Sequence, residues 1–555
     1  MSRSLIAAML GIAVGCAAVA AAQTAPAAGI RTVSGVVVSG RTGEPLDDVD
    51  VKLSAVNVKD RKLVGETISD GQGRFSFANL ADGKYSLHAS RRGFVESDYE
   101  QHDGWLSTAI VTGEGMETAG LRFTLEPEGV IYGVVTEDSG DPVPQARLSL
   151  FRKDPWKGTG AMMRAGTASA DALGNFEVGR LAPGEYYLCA EGVPWYATHR
   201  RPDAGAQNSA ESEQSRPPLD VAYGLSCYPG VSDWSAAAPV QVNAGERMEV
   251  DFELHAVPAV HISIQVAAAD REHGFITPQL RENLFGTSEN VQAGSSFFTH
   301  QGPNGSEINS FEIAGVAPGQ YEMRIPPGAG SAGRFTTIDA STAEARVDAS
   351  AAPVSASVSG RLAMADGSKL PASIFVALRP RQGGDGANGS VEADGSFHID
   401  GVRPGEYTVE IGSRERPLTV IRMTQHGSTL AGRELKVGSE PVEIAATAAD
   451  ARATVNGFVE RGGKPASGVF VVMIPADPSA APSARMLDQS NSDGSFTFEQ
   501  VAPGSYAVVA VEQGWTLDWA LHEAVAKYLA NGVKVTVTPE SRAIALKEHV
   551  EAQPK

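Results

Sequence analysis

The chain has 555 residues, a net charge of −20 and a sequence isoelectric point near 5.1. It is longer than a single hydrophobic core usually supports, so several domains are expected. An acidic surface repels phosphate backbones and anionic lipid headgroups, which argues against nucleic acid as a partner. The 60 glycines and 32 prolines are typical of a β protein with many turns.

The N-terminus has the pattern of a secretory signal. A short basic head ending at Arg3 precedes an apolar run from Leu5 to Ala22. We predict that residues 1–22 are a signal peptide and that the mature chain begins at Gln23; a lipoprotein signal that uses Cys16 is the alternative. No later stretch has the length of a membrane span. The sequence therefore predicts an exported protein that is periplasmic, extracellular or on the outer cell surface, without a membrane span in the mature chain.

One segment recurs five times along the chain. Each copy places a Phe ten residues before a Tyr, with a Gly two residues before that Tyr; the pairs are Phe75 and Tyr85, Phe176 and Tyr186, Phe311 and Tyr321, Phe397 and Tyr407, and Phe496 and Tyr506. Apolar and polar residues alternate on both sides of the Gly, which indicates two half-buried strands joined by a turn. A fixed internal repeat predicts a tandem array of similar units.

Further turn and strand signals flank this segment. An opening strand with a central Gly comes earlier in four copies, at Gly35, Gly133, Gly360 and Gly457. An Asp-Gly turn precedes the Phe in most copies, and a closing strand follows the Tyr. Many short strands with regular turns indicate β-sandwiches. The sequence predicts an all-β fold, a tandem array of about five small Greek-key β-sandwiches with one short helix near the C-terminus.

The expected repeats follow from these signals. Their boundaries are 30–127, 128–256 with a long insertion at 193–238, a degenerate repeat at 257–352, 353–450, and 451–550 with a helix at 518–531. The short linkers predict a semi-rigid string of domains. Each repeated Phe is expected in a core. The Asp residues of the Asp-Gly turns are assigned to turn chemistry, because calcium needs six to eight clustered oxygen ligands. No metal or cofactor is expected.

The mature chain contains two cysteines. In an oxidising compartment Cys189 and Cys227 are expected to form a disulfide that ties the insertion to the second repeat; two separately buried thiols are the alternative. The polar segment 200–218 within the insertion is expected to be mobile. The C-terminal helix is bracketed by Asp518 as N-cap and Gly532 as stop. Trp519 and Val525 are expected to pack on the last repeat; a sugar-stacking surface is the alternative.

The Gly-bearing opening strand, the turn with Pro, and the Asp-Gly, Phe and Pro-Gly-x-Tyr run together resemble the carboxypeptidase regulatory-like domain. The resemblance implies a prealbumin-like β-sandwich, grouped with carbohydrate-binding-like and Cna B-type folds, and it specifies little about function. The zinc motifs of a metallocarboxypeptidase are missing, since His522-Glu523 has no partner His four residues after His522. The opening-strand Lys of the Cna B-type isopeptide cross-link is also missing.

The leading hypothesis is a non-catalytic exported protein that acts as a binding or scaffold module at the cell envelope, with carbohydrate binding as its finer form. An accessory partner of an envelope peptidase or an outer-membrane transporter is the alternative. No nucleophile elbow or phosphate loop indicates an enzyme. Aromatic residues in predicted loops suit the apolar face of a pyranose; the candidates are Trp105, Trp195, Tyr196 and Trp515, with ordinary packing as the competing explanation. Polysaccharide or an envelope protein is the expected partner.

Overall fold

A computed structural model describes residues 31–555 except 57–60, 103, 105, 155–161, 198–218, 267–276, 302–306, 326–332, 343, 349–351, 353–354, 382–385, 415–416, 431–432, 477–484 and 520–521. The proposed signal peptide with Cys16, the N-terminal Gln23 and the segment 200–218 lie outside the described residues. Trp105 lies outside them as well.

The regular structure of the described residues is almost all short β-strands, grouped here into five repeats. The strands of repeat one are β1 (Arg31–Ser39), β2 (Asp50–Val56), β3 (Arg61–Ile68), β4 (Arg74–Leu80), β5 (Gly83–Ser90), β6 (Ser97–Asp98), β7 (Ile110–Thr112) and β8 (Leu121–Leu125). The strands of repeat two are β9 (Gly129–Glu137), β10 (Arg147–Lys153), β11 (Met162–Ser169), β12 (Asn175–Leu181), β13 (Gly184–Glu191), β14 (Val221–Tyr223), β15 (Ser226–Cys227), β16 (Val240–Val242), β17 (Arg247–Glu249) and β18 (Phe252–Leu254).

The strands of repeat three are β19 (Ala256–Pro258), β20 (Val260–Val266), β21 (Gln279–Leu284), β22 (Thr287–Asn290), β23 (Gly294–Gln301), β24 (Glu307–Val316), β25 (Gln320–Ile325), β26 (Arg334–Asp339) and β27 (Glu344–Asp348). The strands of repeat four are β28 (Ala356–Met364), β29 (Ile374–Pro380), β30 (Ala387–Ser390), β31 (Ser396–Val402), β32 (Gly405–Ser413), β33 (Leu418–Gln425), β34 (Ser428–Thr429), β35 (Glu434–Val437) and β36 (Val442–Asp450). Repeat five contains β37 (Ala453–Arg461), β38 (Lys464–Pro465), β39 (Phe470–Pro475), β40 (Met486–Gln489), β41 (Ser495–Val501), β42 (Gly504–Val511), helix α1 (His522–Leu529), β43 (Val533–Val537), β44 (Ala543–Ala545) and β45 (Val550–Gln553).

All five repeats share one pairing scheme. The opening strand lies between the strand that carries the repeated Phe, which is antiparallel to it, and the closing strand, which is parallel; in repeat one β1 pairs β4 and β8 in this way. A second sheet pairs the strand of the repeated Tyr with its neighbours, as β5 pairs β2 and β7. Repeat three, which looks degenerate in sequence, keeps the scheme through β20, β24 and β27. The all-β prediction is confirmed; the exact domain boundaries stay a prediction.

The repeated Phe residues lie in five separate hydrophobic cores. Their exposed fractions are between 1% and 6%; they are Phe75, Phe176, Phe311, Phe397 and Phe496. The Gly of the opening strand stands directly opposite the Phe in repeat one, where Gly35 pairs with Phe75. A Cβ at Gly35 would overlap the carbonyl oxygen of Leu121 on the closing strand. The Gly is therefore required by the close approach of the parallel closing strand.

Besides packing in the cores, the repeated Tyr residues make a hydrogen bond that the alternation of apolar and polar residues does not predict. In every repeat the Tyr hydroxyl donates a hydrogen bond to the backbone carbonyl four residues earlier, just before the turn. The pairs are Tyr85 with Ala81, Tyr186 with Ala182, Tyr321 with Ala317, Tyr407 with Arg403 and Tyr506 with Ala502, at 2.7–3.0 Å. The arrangement resembles the tyrosine corner of other β-sandwiches and fixes the turn between the two strands.

Replacing Tyr186 by Phe should lower the free energy of unfolding of repeat two by about 1–2 kcal/mol. The substitution keeps the packed ring but leaves the Ala182 carbonyl without this bond. Hydrogen exchange of the β12 and β13 amides would measure the loss. Phe176→Tyr in the same repeat cannot serve as the reverse control, because the Phe176 ring is only 4% exposed and an added hydroxyl would be buried in the core. Unchanged exchange in Tyr186→Phe would show that the hydroxyl contributes nothing.

The Asp residues that precede the Phe in most repeats act as turn residues. The Asp70 carboxylate accepts bonds from the backbone N–H groups of Gln72 and Arg74, both at 2.9 Å. Asp171 does the same with Leu173 and Asn175. These backbone bonds, with the Arg74 side chain, lower the pKa of the Asp70 carboxyl. The turn interpretation is confirmed for these residues.

Repeat three contacts repeat two through a projecting hairpin. The turn between β21 and β22 places Phe285, at φ +53°, against the outer face of the second repeat. Its ring centroid lies 5.0 Å from that of Phe151, 5.3 Å from that of Tyr187 and 5.3 Å from that of Trp234. Cys189 and Cys227, joined as a disulfide, belong to the same buried cluster. The disulfide pairs β13 with β15 and so holds part of the insertion against the sheet.

Charged side chains lie beside this hairpin. Arg147 donates to Glu191 at 2.6 Å and to the carbonyl of Asn290, in repeat three, at 2.9 Å. Burial, with the neighbouring Glu191 carboxylate, raises the pKa of Glu282 to about 8. Burial of the Glu282 carboxyl beside the Glu191 carboxylate therefore favours the neutral form of Glu282, which can share a hydrogen bond with Glu191.

The C-terminal helix is shorter than the sequence predicted. It begins at His522 and ends at Leu529, whereas the prediction ran from 518 to 531. Trp519 lies ahead of the helix and donates its indole N–H to the carbonyl of Gly514 at 2.7 Å. Trp519, Val525 and Tyr528 are 2–3% exposed and cover the outer face of repeat five. The packing interpretation of this segment is confirmed. Within the described part of the chain, no helix is long and apolar enough to span a membrane.

Candidate functional site

Trp195 is the most exposed large apolar side chain of the described residues, at 75%. It follows strand β13 in a tight turn in which the N–H of Ala197 bonds to the carbonyl of Pro194 at 3.0 Å. Its ring stands edge-on to Tyr196, with the centroids 5.7 Å apart and the planes at 88°. One face of the Trp195 ring is therefore exposed to solvent on a short, hydrogen-bonded turn.

Glu137 anchors this turn to the sandwich. One of its oxygens, Oε2, accepts the hydroxyls of Tyr196 at 2.7 Å and of Tyr223 at 2.6 Å. The other accepts from Ser139 at 3.0 Å. These bonds, led by that from Tyr223, lower the pKa of Glu137, and burial raises the pKa of both tyrosines. The Tyr196 hydroxyl bond therefore ties the turn that carries Trp195 to strand β9.

Further carboxylates surround this anchor. Asp138, Glu253 and His255, all exposed, each place one potential metal-ligand atom within 4.8 Å of the others. Asp138 already bonds to Nδ1 of His255, and that bond raises the pKa of the imidazole. Three exposed groups that bond to one another do not by themselves make a metal site, so we assign them only as the polar surroundings of the turn.

The three aromatic candidates within the described residues lie in two separate places. Trp195 and Tyr196 share the turn on repeat two, whereas Trp515 lies at the junction of repeats five and one. The Trp515 indole stacks on the His102 imidazole, with centroids 3.5 Å apart and planes at 19°. It is partly buried there against the outer apolar face of repeat five. Sugar binding by any of the four residues stays a prediction.

The junction of the first and last repeats is an apolar contact with a polar border. Leu106 from repeat one is 3% exposed and packs with Phe470, Val509 and Trp519 of repeat five. Ser492 donates its N–H to the carbonyl of Ala109 at 3.0 Å, and its hydroxyl accepts from the N–H of Val111 at 2.8 Å. Residues separated by about 380 positions are thus joined by packing and by backbone bonds.

Gln489 forms the polar centre of this junction. Its side chain is 1% exposed and contacts three residues of repeat one. Its Nε2 donates to the carbonyl of Glu100 and to Oγ1 of Thr108, both at 2.8 Å. Its Oε1 lies 2.9 Å from Nδ1 of His102. Thr108 is also 1% exposed, so a buried pair of polar side chains links the two repeats.

The short linkers predicted only a string of domains, and this junction between the first and last repeats was not expected from them. One signal was present. Strand β39 reads Phe-Val-Val-Met-Ile, an unbroken apolar run, where a strand with one solvated face would alternate. Such a run indicates that both faces of the sheet are covered. Which segment covers the outer face could not be inferred from it.

Two parts of the chain match family models. Residues 32–126 match the carboxypeptidase regulatory-like domain, and residues 454–540 match the second β-sandwich domain of the BOS complex subunit NOMO1-like family. No curated protein sequence is significantly similar to the chain.

Several solved structures are similar at a low level. The Bacillus anthracis TIE protein is 8% identical, with coverage of 77% of this chain and 75% of that one and a TM-score of 0.18. A streptococcal ancillary pilin is 12% identical, with coverage of 54% and 100% and a TM-score of 0.20. The shaft pilin SpaA from Lactobacillus rhamnosus GG is 10% identical, with coverage of 41% and 98% and a TM-score of 0.19. Likeness at this level carries no information on ligand or partner.

The five cores, the shared pairing scheme and the match to repeat one agree with the resemblance seen in the sequence. The chain is a tandem β-sandwich protein whose first repeat, residues 32–126, matches the carboxypeptidase regulatory-like domain family.

Proposed function

We propose that the protein is an exported, non-catalytic binding module at the cell envelope, and that the turn carrying Trp195 and Tyr196 binds carbohydrate. The observation that carries the proposal is the 75% exposure of Trp195 on an anchored turn. An exposed indole offers a large, flat apolar face on which a ligand ring can pack. The disulfide of repeat two supports export, because disulfides persist in oxidising compartments.

The surroundings of Trp195 favour a sugar over an apolar protein surface. An aromatic face covers the C–H side of a pyranose, while carboxylates accept bonds from its hydroxyl groups. Carboxylates of Asp138, Asp141 and Glu253 lie on the strand ends and loop next to the Glu137 anchor. Together with the net charge of −20, they favour a neutral glycan and disfavour a sulfated or uronic one.

Binding of the mature chain, residues 23–555, to neutral polysaccharides and to peptidoglycan tests the proposal. In affinity electrophoresis or pull-down, Trp195→Ala should weaken binding roughly thirtyfold, as expected when a central aromatic anchor worth about 2 kcal/mol is removed. Trp195→Phe should retain part of the affinity. Leu173→Ala, which removes another exposed side chain of repeat two, is the matched control. Binding that is absent, or unaffected by Trp195→Ala, would contradict the carbohydrate assignment and favour an envelope protein as partner.

A further inference from the structure

Repeat three contacts the insertion of repeat two through a buried histidine. His261, on β20, lies between two carboxylates: its Nδ1 is 2.7 Å from Oε1 of Glu312 on β24, and its Nε2 is 2.8 Å from Oδ2 of Asp220. The three side chains are only 6–12% exposed. Asp220 belongs to the insertion and comes directly before β14. The imidazole therefore joins the insertion to the sheet of repeat three.

The two bonds of His261 depend on the protonation of its ring. An ionised carboxylate only accepts hydrogen bonds, so each ring nitrogen must carry a proton and the imidazole must be a cation. The bond to Glu312, opposed by burial and supported by the bond to Asp220, raises the pKa of His261. Loss of one proton would remove one bond and leave a buried lone pair facing a carboxylate oxygen. The contact is therefore strongest when the ring is doubly protonated.

A second contact between the same repeats also depends on a proton. Glu282, on β21 of repeat three, lies beside the Glu191 carboxylate of repeat two, and burial together with that carboxylate raises its pKa to about 8. Arg147 is the cation beside the pair and donates to Glu191 at 2.6 Å. The neutral form of Glu282 can share a hydrogen bond with Glu191, whereas the ionised form repels it. Further ionisable groups on this side are Glu289, its ion-pair partner Arg164, and Tyr321.

Both contacts reach the segments that hold the Trp195 turn. Glu191 is the last residue of β13, four positions before Trp195. Asp220 precedes β14, whose Tyr223 donates its hydroxyl to the Glu137 anchor of the turn at 2.6 Å. Repeat three therefore contacts the segment that leads into the turn and the segment that bonds to its anchor.

We propose that repeat three is a proton-dependent clamp on the Trp195 turn, closed at mildly acidic pH and opened at alkaline pH. The closed clamp contains a doubly protonated His261 and a neutral Glu282. Both groups bind protons more tightly in the closed contact than in the separated repeats, so the stability that they contribute is complete at low pH and falls as the pH rises. The regulatory role rests on the proposed carbohydrate function, whereas the clamp itself does not.

The pH range of the clamp follows from its two groups. The stability from Glu282 falls as the pH rises from its ordinary pKa of 4.5 to about 8. The stability from His261 is complete below the ordinary histidine pKa of 6.5 and is lost as the pH rises through the raised value in the folded chain. Both changes have the same sign, so they add.

Hydrogen exchange of the mature chain, residues 23–555, tests the clamp without a ligand. Protection factors of the β14, β20 and Ala197 amides, corrected for the intrinsic effect of pH on exchange, should fall roughly tenfold or more between about pH 5.5 and about pH 9. Those of β1 and β28, in repeats one and four, should change by less than about twofold. Equal changes in all repeats, or none in β14 and β20, would overturn the proposal.

Two substitutions make the contacts independent of protons. Asp220→Asn offers an oxygen to a protonated Nε2 and an N–H group to a deprotonated one, and Glu282→Gln is neutral at every pH. The combined variant keeps the shape of both side chains and should lose most of the pH dependence in β14 and β20. His398→Gln is the matched control and should behave as the wild type, because it removes an exposed imidazole that bonds to Asp400 in repeat four. Wild-type pH dependence in the combined variant would contradict the clamp.

Nitrogen-15 labelling of histidine gives a second measurement on the unmodified chain. At about pH 7 both ring nitrogens of His261 should be protonated, and their resonances are identified by their loss in His261→Gln. A ring with a single protonated nitrogen would overturn the proposal. A chain that shows the clamp but binds no glycan would contradict only the carbohydrate function. A chain that binds a glycan without pH-dependent protection would contradict only the clamp.

Discussion

Phe496→Ala should lower the free energy of unfolding of repeat five by about 3–5 kcal/mol, the usual cost of truncating a fully buried Phe. Its ring is 1% exposed, packs 5.5 Å from that of Phe498 and covers Gly457 on the opening strand. No neighbouring side chain can fill the space, because the strands on both sides are fixed by the sheet. The substitution removes the transfer free energy of the ring and leaves a cavity.

Hydrogen exchange followed by mass spectrometry suits this test, since a chain of several domains does not unfold in one step. Amides of β37 and β41 should exchange roughly a hundredfold faster or more, while repeats two to four stay unchanged. Phe458→Ala is the matched control, since that ring is 45% exposed on the same opening strand and its removal should cost under about 0.5 kcal/mol. Equal effects of the two substitutions would mean that the face of the strand is assigned wrongly.

Phe285→Ala should separate the unfolding of repeat three from that of repeat two. The ring is 8% exposed between Phe151, Tyr187 and Trp234, so its truncation leaves a cavity at the contact. Part of the lost free energy is recovered. Without the packed ring, residue 285 can leave the strained backbone conformation at φ +53°, which is unfavourable for Ala and Phe alike. The net loss expected at the contact is about 2–4 kcal/mol.

Hydrogen exchange followed by mass spectrometry provides a local measurement here, because it resolves the amides of β21 and β22 from the rest of the chain. In denaturant titrations these amides should lose protection at a lower concentration in Phe285→Ala than in the wild type. Phe285→Leu, which keeps most of the apolar volume, should behave nearly as the wild type. An unchanged transition in Phe285→Ala would show that the charged pairs around Arg147 and Glu282 hold the two repeats together without the hairpin.

The contacts between repeats bear on the proposed function. Phe285 packs repeat three against repeat two. Arg403 of repeat four forms an ion pair with Glu322 of repeat three, and Leu106 packs repeat one against repeat five. The turn on repeat two that we propose as a binding site is therefore carried by a chain whose repeats are packed against one another. A firm support of this kind lowers the entropy lost when a ligand is bound.

The sequence by itself determined the repeating fold. Alternating apolar residues, the Asp-Gly and Pro-Gly turns and the repeated Phe and Tyr are local signals with short-range causes, namely strand pleat and turn geometry. They were enough to predict five β-sandwich repeats, the burial of Phe496 and the packing of Trp519. The exposed aromatic turn could be named as a candidate because Trp195 lies next to Pro194 in a predicted loop.

Only the tertiary structure shows which residues form the contacts between repeats. The contacts of Phe285 with Phe151, and of Gln489 with Thr108 and His102, join residues far apart in the chain. Such contacts depend on how rigid bodies are oriented, and a small rotation at each linker adds up over five repeats. Strand periodicity carries no information on those rotations. The physical chemistry of the junction, a buried hydroxyl beside a buried carboxamide, therefore becomes visible only when the last repeat is placed against the first.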